Sequence, residues 1–187
     1  RNMATIGGNL CNGVPSADSA PPLICLNAEF TFESAAGVRK TPLEDFFQVP
    51  GQVALKRPEI LTTITVSRDN YAGYHGHFFK YAMREAMDIA TIGCSAVCRV
   101  DDGRLTDLRL AYGTAAPVPI RCRITEDRFR GERLSLKLLD SIAASVPDDV
   151  KPRTSWRATR DFRLQIITTL AARVVKQAIL NAGGAIH

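Results

Sequence analysis

Ile92-Gly-Cys-Ser-Ala-Val-Cys-Arg-Val-Asp-Asp-Gly-Arg-Leu-Thr-Asp-Leu-Arg-Leu-Ala-Tyr-Gly-Thr-Ala115 is the stretch that decides the fold. Ile92 to Val100 and Leu105 to Ala115 alternate small or apolar residues with others at the two-residue period of a strand. Asp101-Asp102-Gly103 between them is hairpin chemistry, because a two-residue turn that matches strand twist needs residues that tolerate positive φ. Even spacing places Cys94, Ala96 and Cys98 on one face, beside Val100. The two thiols are therefore expected to be buried small apolar groups, with a metal or cluster site as the alternative.

Working outward, His77 to Met83 reads as a third strand. On the C-terminal side the period changes. Ser135 is placed to cap a helix whose apolar positions Leu136, Leu139, Ile142, Ala143 and Val146 recur at three- and four-residue steps until Pro147. Thr159 to Asn181 carries Phe162, Ile166, Ile167, Leu170, Val174 and Ala178 on one stripe and ends at Gly183-Gly184, as a left-handed cap requires. These helices must bury their stripes on a sheet or on each other, so this half is expected to be a three-stranded antiparallel sheet covered by helices. Before it lie two short strands, Glu29 to Ser34 and Val38 to Thr41, and a β-branched strand within Pro58 to Val66. The polar, Gly-bearing segment from Ser67 to Gly76 reads as a boundary, dividing the chain into residues 1–70 and 71–187.

Composition is that of an ordinary globular protein, with 187 residues, 45% of them hydrophobic, and excludes disordered and collagen-like classes. A chain of this size can bury roughly 70% of its extended surface. The net charge of +5 is spread among acids rather than gathered in a stripe with aromatics, which argues against nucleic acid and for small anions or an acidic partner subunit. Five cysteines without a CxxC pair indicate a reducing compartment, and a cytoplasmic location is expected. No apolar run reaches the roughly 18 residues of a membrane span.

Thr5-Ile6-Gly7-Gly8-Asn9 is either a plain Gly-Gly turn or a loop whose successive N–H groups cradle a phosphate; it is neither a dinucleotide fingerprint nor a P-loop. Asp18 is positioned to cap a helix from Ala20 to Asn27. Lys80 sits in an otherwise apolar and aromatic strand, so its ammonium needs a partner, such as a bound anion or cofactor, unless it is a surface lysine on an edge. His75 and His77 share a face but lack a third metal ligand nearby. Trp156, among Arg153, Arg157 and Arg160, reads as a packing residue in preference to a docking one. No hydrolytic triad or zinc motif appears, so any chemistry is expected to belong to a cofactor.

Four ordered motifs carry a resemblance: Arg1-Asn-x-Ala-Thr-Ile-Gly-Gly-Asn-Leu10, Pro15-Ser-Ala-Asp-Ser-Ala-Pro-Pro-Leu23, Phe79-Lys-Tyr-Ala-Met-Arg-Glu-Ala-Met-Asp-Ile-Ala90 and Leu110-Ala-Tyr-Gly-Thr-Ala-Ala-Pro-x-Pro-Ile-Arg121. With Ser155-Trp-Arg-Ala158, they resemble the FAD-binding medium subunits of bacterial xanthine dehydrogenases, in the molybdenum hydroxylase family, over essentially the whole chain. The resemblance implies an α+β fold: the second subdomain of a two-part FAD-binding domain, then a C-terminal domain with a three-stranded sheet and helices. It implies FAD contacts at Ala4, Thr5, Ile6, Gly7, Gly8 and Asn9 for the pyrophosphate, and at Asp18, Leu61 and Lys80, with Lys80 near the isoalloxazine. It further implies a molybdenum-cofactor subunit and an Fe–S subunit as partners, NAD as acceptor and a purine as substrate. Two departures stand out. The family's other glycine-rich loop has no match, so the chain is expected to be a piece of a longer protein, inactive alone. Met87 replaces an acidic residue of animal-type relatives. The rival expectations are a docking module that retains no flavin and a polyanion-binding domain.

Overall fold

The computed structural model describes residues 3–186; Arg1 and Asn2 of the opening motif and His187 lie outside them. The order is α1 (Ile6–Cys11), α2 (Ala20–Cys25), β1 (Glu29–Ser34), β2 (Gly37–Pro42), β3 (Phe47–Val49), β4 (Gln52–Val53), β5 (Ile60–Thr65), α3 (Arg68–Tyr71), β6 (His75–Tyr81), β7 (Ile92–Asp101), β8 (Arg104–Gly113), β9 (Ile120–Arg121), α4 (Arg123–Phe129), α5 (Leu136–Ser145) and α6 (Arg160–Asn181). The fold is α+β with antiparallel pairing throughout.

The quoted stretch forms β7 and β8, paired from Gly93↔Gly113 to Asp101↔Arg104. Asp102 and Gly103 both have positive φ, 45° and 66°, which is the two-residue turn the sequence called for. A bulge between Arg99 and Val100 shifts the register just before that turn. β6 completes the expected three strands at one edge, and the two-residue β9, not foreseen, makes a fourth at the other. α5 and α6 begin at Ser135 and Thr159, whose side chains accept from the Leu138 and Phe162 N–H groups. α6 closes at Gly183, with the Gly184 N–H donating to the Ile179 carbonyl at 2.9 Å.

Strand parity splits this sheet into two kinds of face. Cys94, Ala96, Cys98, Leu108, Leu110 and Tyr112 turn to α5 and α6 and are fully buried with Ile142, Ile167 and Val175. Burial pushes the Cys98 thiol up to about 12, so it behaves as an apolar group. The opposite parity, Val97, Arg109 and Ala111, faces α2 and the first half, and Val97 and Ala111 join its core. That core centres on Phe30, Phe32 and Phe46, with Phe30 and Phe46 edge-on at 4.7 Å, beneath the three-stranded sheet β2-β1-β5.

The junction of the halves is polar. Arg109 donates to the Tyr74 hydroxyl at 2.7 Å and to the carbonyls of Cys25 and Asn70 at 3.3 and 3.2 Å. Arg121 bonds Asn27 and pairs with Glu126 at 2.7 Å, both members of that pair being almost fully buried. Gly113 sits where a Cβ would stand 2.9 Å from the Pro15 carbonyl oxygen, which accepts the Thr114 N–H at 3.0 Å. Only glycine permits so close an approach of α2's lead-in to the sheet.

Candidate functional site

Thr5 to Asn9 is not the loop that two adjacent glycines suggested but the start of α1. Thr5 makes the difference: its Oγ1 accepts the Gly8 N–H at 3.0 Å, and its carbonyl accepts the Asn9 N–H at 3.0 Å. Helix geometry leaves the Ile6 and Gly7 N–H groups without intrahelical acceptors. Ala4, Thr5, Ile6 and Gly8 are exposed around them. Leu61, on β5, approaches from the side, its Cδ2 3.6 Å from where a Cβ on Gly7 would lie.

Asn9 points the other way, its Oδ1 accepting from the Ser19 N–H at 3.3 Å and the Ser19 hydroxyl at 2.6 Å. This tie fixes α1 against the start of α2. Ser19, not Asp18, is the N-terminal flank of α2, and it makes no capping bond, so the capping role foreseen for Asp18 is not what the structure has. Asp18 instead accepts the Lys80 ammonium on Oδ2 at 2.6 Å.

Lys80 reaches Asp18 because of parity. It pairs with Gly93 across β6 and β7, on the sheet face that looks toward α2, whereas Phe79 pairs with Cys94 on the other. Its second acceptor is the Asp88 carbonyl at 2.7 Å. The partner that the ammonium was expected to need is thus supplied by the protein itself, where a bound anion or cofactor had been offered as examples. β6 is an edge strand, but Lys80 is neither free nor fully exposed, with 30% of its side chain accessible.

Asp88 organises the loop after β6. Burial opposes its charge, yet N–H donors from Ile89, Arg84 and Met83 outweigh that and hold the carboxyl below its ordinary range. Asp88 is the site residue that reading the sequence missed; a carboxylate closing a polar loop eight residues after Lys80 was the available signal. Met87 is 95% exposed at the tip. Trp156 is 80% exposed with the Arg157 guanidinium 4.1 Å from its ring, so the packing role is overturned. His75 and His77 share one face of β6, as the spacing indicated.

The nine residues singled out by resemblance thus form one run of contacts, from Leu61 to Gly7, through α1 to Asn9 and Ser19, then Asp18 and Lys80. One atom in it lacks a partner: Asp18 Oδ1 is buried without a hydrogen bond. A carboxylate oxygen without a partner, linked through Ser19 and Asn9 to a helix with free N-terminal N–H groups, suits a polar, phosphate-bearing ligand with its own N–H or O–H donors, and FAD has these groups.

Residues 77–178, more than half of the chain, match the family model of the CO dehydrogenase flavoprotein C-terminal domain. The chain belongs to that family. Residues 1–68 match the model of the FAD binding domain in molybdopterin dehydrogenase. Among relatives, the xanthine dehydrogenase FAD-binding subunit of Escherichia coli O157:H7 is 47% identical over 98% of this chain and 63% of its own length. The glyceraldehyde dehydrogenase medium chain of Sulfolobus acidocaldarius is 29% identical over 95% of the chain and 62% of its own. The carbon monoxide dehydrogenase of Hydrogenophaga pseudoflava lacking the Mo-pyranopterin moiety superposes with a TM-score of 0.89 at 24% identity, covering 97% of this chain and 62% of that one, which establishes the shared fold. The chain spans a little under two thirds of the relatives it matches.

Proposed function

We propose that this chain is part of the FAD-binding subunit of an oxidoreductase of the molybdenum hydroxylase class, in which electrons from purine oxidation on a molybdenum-cofactor subunit cross an Fe–S subunit and are delivered to NAD. The observation that carries the reading is the Asp18–Lys80 pair with its unpartnered Oδ1, tied through Ser19 and Asn9 to the Thr5-capped α1. In this reading Ala4 to Gly8 hold the pyrophosphate, Asn9 ties α1 to α2 through Ser19, and Asp18, Leu61 and Lys80 hold the remainder of FAD. When bound, FAD supplies reversible two-electron uptake.

The residues themselves position and bind. Thr5 takes the Gly8 N–H, which leaves Ile6 and Gly7 to donate. Lys80 holds Asp18 aimed through Oδ2, which leaves Oδ1 to accept from the ligand. The division into residues 1–70 and 71–187 places Asp18 in one unit and Lys80 in the other. Five free thiols support a reducing, cytoplasmic location, and among the described residues no helix is long and apolar enough to cross a membrane.

The test is titration of FAD into the chain, read by quenching of flavin fluorescence and by the visible spectrum. Saturable binding that weakens in Asp18→Ala supports the reading. Unchanged affinity in Asp18→Ala overturns the site, and absence of binding even when the part of the relatives that this chain does not cover is supplied overturns the function. The exposed Trp156 favours a second reading, a docking module for the Fe–S or molybdenum subunit that retains no flavin; flavin content decides between them.

A further inference from the structure

Another cavity, of about 340 Å³, has an apolar wall that includes Pro15 and Ile89 and a cationic wall of Lys151, Arg153, Arg157 and Arg163. No carboxylate lines it, and among the described residues none of the four cations forms an ion pair. Elsewhere the protein pairs its arginines readily, as at Arg39, Arg121 and Arg123. A cluster of unpaired like charges around one cavity is costly unless something negative enters it.

Arg163 is the centre of that cost. It is only 6% exposed, and although one amino group donates to the Thr91 carbonyl and another to Ser155 Oγ at 2.9 Å, its Nε is buried without a partner. It also lies in the first turn of α6, where the peptide dipoles present their positive end. Burial, then the neighbouring charges of Arg153 and Arg157, hold its guanidinium below the ordinary arginine range. The same Thr91 carbonyl accepts from Thr114 Oγ1 at 2.6 Å. Thr114 lines the cavity with φ at 63°, an outlier for a β-branched residue and the kind of strain that collects at ligand sites.

We propose that this cavity is an anion site that takes a phosphate or pyrophosphate group, with Arg163 as its buried anchor and Lys151, Arg153 and Arg157 as its outer donors. The guanidinium fork and the buried, unpaired Nε–H suit tetrahedral oxyanions, and the apolar wall suits the organic part of a nucleotide. The anionic group belongs to a phosphate-bearing ligand separate from FAD, whose one pyrophosphate the proposed function places at the start of α1. The site itself stands on residues outside the Asp18–Lys80 run and holds whether or not FAD binds there.

Trp156, the chain's single tryptophan, stacks on Arg157 and reports from the rim. Inorganic pyrophosphate is titrated at constant ionic strength, with sodium chloride as the balance, while Trp156 emission and heat are followed. A saturable response is expected, weakened about tenfold in Lys151→Ala or Arg153→Ala and about a hundredfold in the double variant. Both side chains are exposed and unpaired, so these variants keep the test sound even if Arg163→Ala fails to fold. No saturable signal by either readout, an equal response to chloride, or unchanged affinity in the double variant overturns the proposal. Repetition with saturating FAD completes the test: simultaneous binding is expected, and competition overturns the assignment to a separate ligand. Failure of FAD to bind leaves the pyrophosphate titration intact, so the two readings fail separately.

Discussion

The two faces of the β6–β9 sheet are made by the same strands and built on opposite terms. Toward α5 and α6, Cys94, Ala96, Leu108, Leu110 and Tyr112 form an apolar interior in which one hydroxyl, that of Tyr112, bonds the Ile167 carbonyl at 2.9 Å. Toward α2, Lys80 and Arg109 reach across to polar groups of the first half, and Arg121 extends the junction. One face supplies stability without direction. The other supplies direction, because each hydrogen bond fixes an angle between the halves and so the placement of Asp18 against Lys80.

The comparison is broken most severely at Glu126, the acid of the buried junction. Glu126→Ala leaves Arg121 buried and uncompensated and is expected to cost about 3–5 kcal/mol in urea unfolding. Burial holds the Glu126 carboxyl above its ordinary range against the pull of Arg121 and the Leu110 N–H. The folded form therefore keeps its proton at a pH where the unfolded chain has lost it, so this residue's contribution makes stability fall as pH rises between those two values. Glu126→Gln is expected to remove that slope while keeping the bond from Leu110; an unchanged slope refutes the assignment.

Next comes the apolar face. Leu110→Ala empties a fully buried site and is expected to cost about 2–5 kcal/mol, with no effect on ligand affinity beyond that of partial unfolding. Arg109→Met, at an adjacent position on the opposite face, sharpens the contrast. It is expected to cost about 1–3 kcal/mol, because the Cys25 and Asn70 carbonyls and the Tyr74 hydroxyl lose a donor, and to weaken FAD binding disproportionately by loosening the angle between the halves. Equal effects of the two changes on FAD affinity would erase the distinction. Smallest in stability is Lys80→Ala, within about 1 kcal/mol for a partly exposed pair. Its expected signature is retained FAD with an altered flavin reduction potential or reaction with the electron acceptor; unchanged turnover and potential would remove Lys80 from the site.

Much of this architecture was legible because it is periodic. β1, β7, β8, α5 and α6 follow alternation or a three-to-four step, closed by caps and turns with their own chemistry. α1 was not legible: Gly7 and Gly8 disfavour helix, and the Thr5 cap that rescues it makes a single local bond. β3, β4 and β9 are too short to show a period, and α4 gets no capping bond from its own flank, Cys122; its first N–H groups donate to the distant Asp149 carboxylate. In the site, the parity of Lys80 was readable but its partner, 62 residues earlier in the chain, was not. Arg163 did leave a trace, since it interrupts the apolar stripe of α6 one turn before Ile166 and Ile167, and a cation at a core position demands an explanation.

The bulge between Arg99 and Val100 has a consequence for how such a chain can change. Every residue that serves the site from β7 or β8 lies on its far side from the Asp102-Gly103 turn. An irregularity of this kind takes up a slip locally, so the hairpin tip is free to lengthen, shorten or acquire new surface chemistry over evolutionary time. No such buffer interrupts the pairing from Gly93↔Gly113 to Arg99↔Asp107. A single residue inserted there would exchange the interior face for the ligand-facing one, which makes the register of this strand pair as heritable a constraint as any side chain in the site.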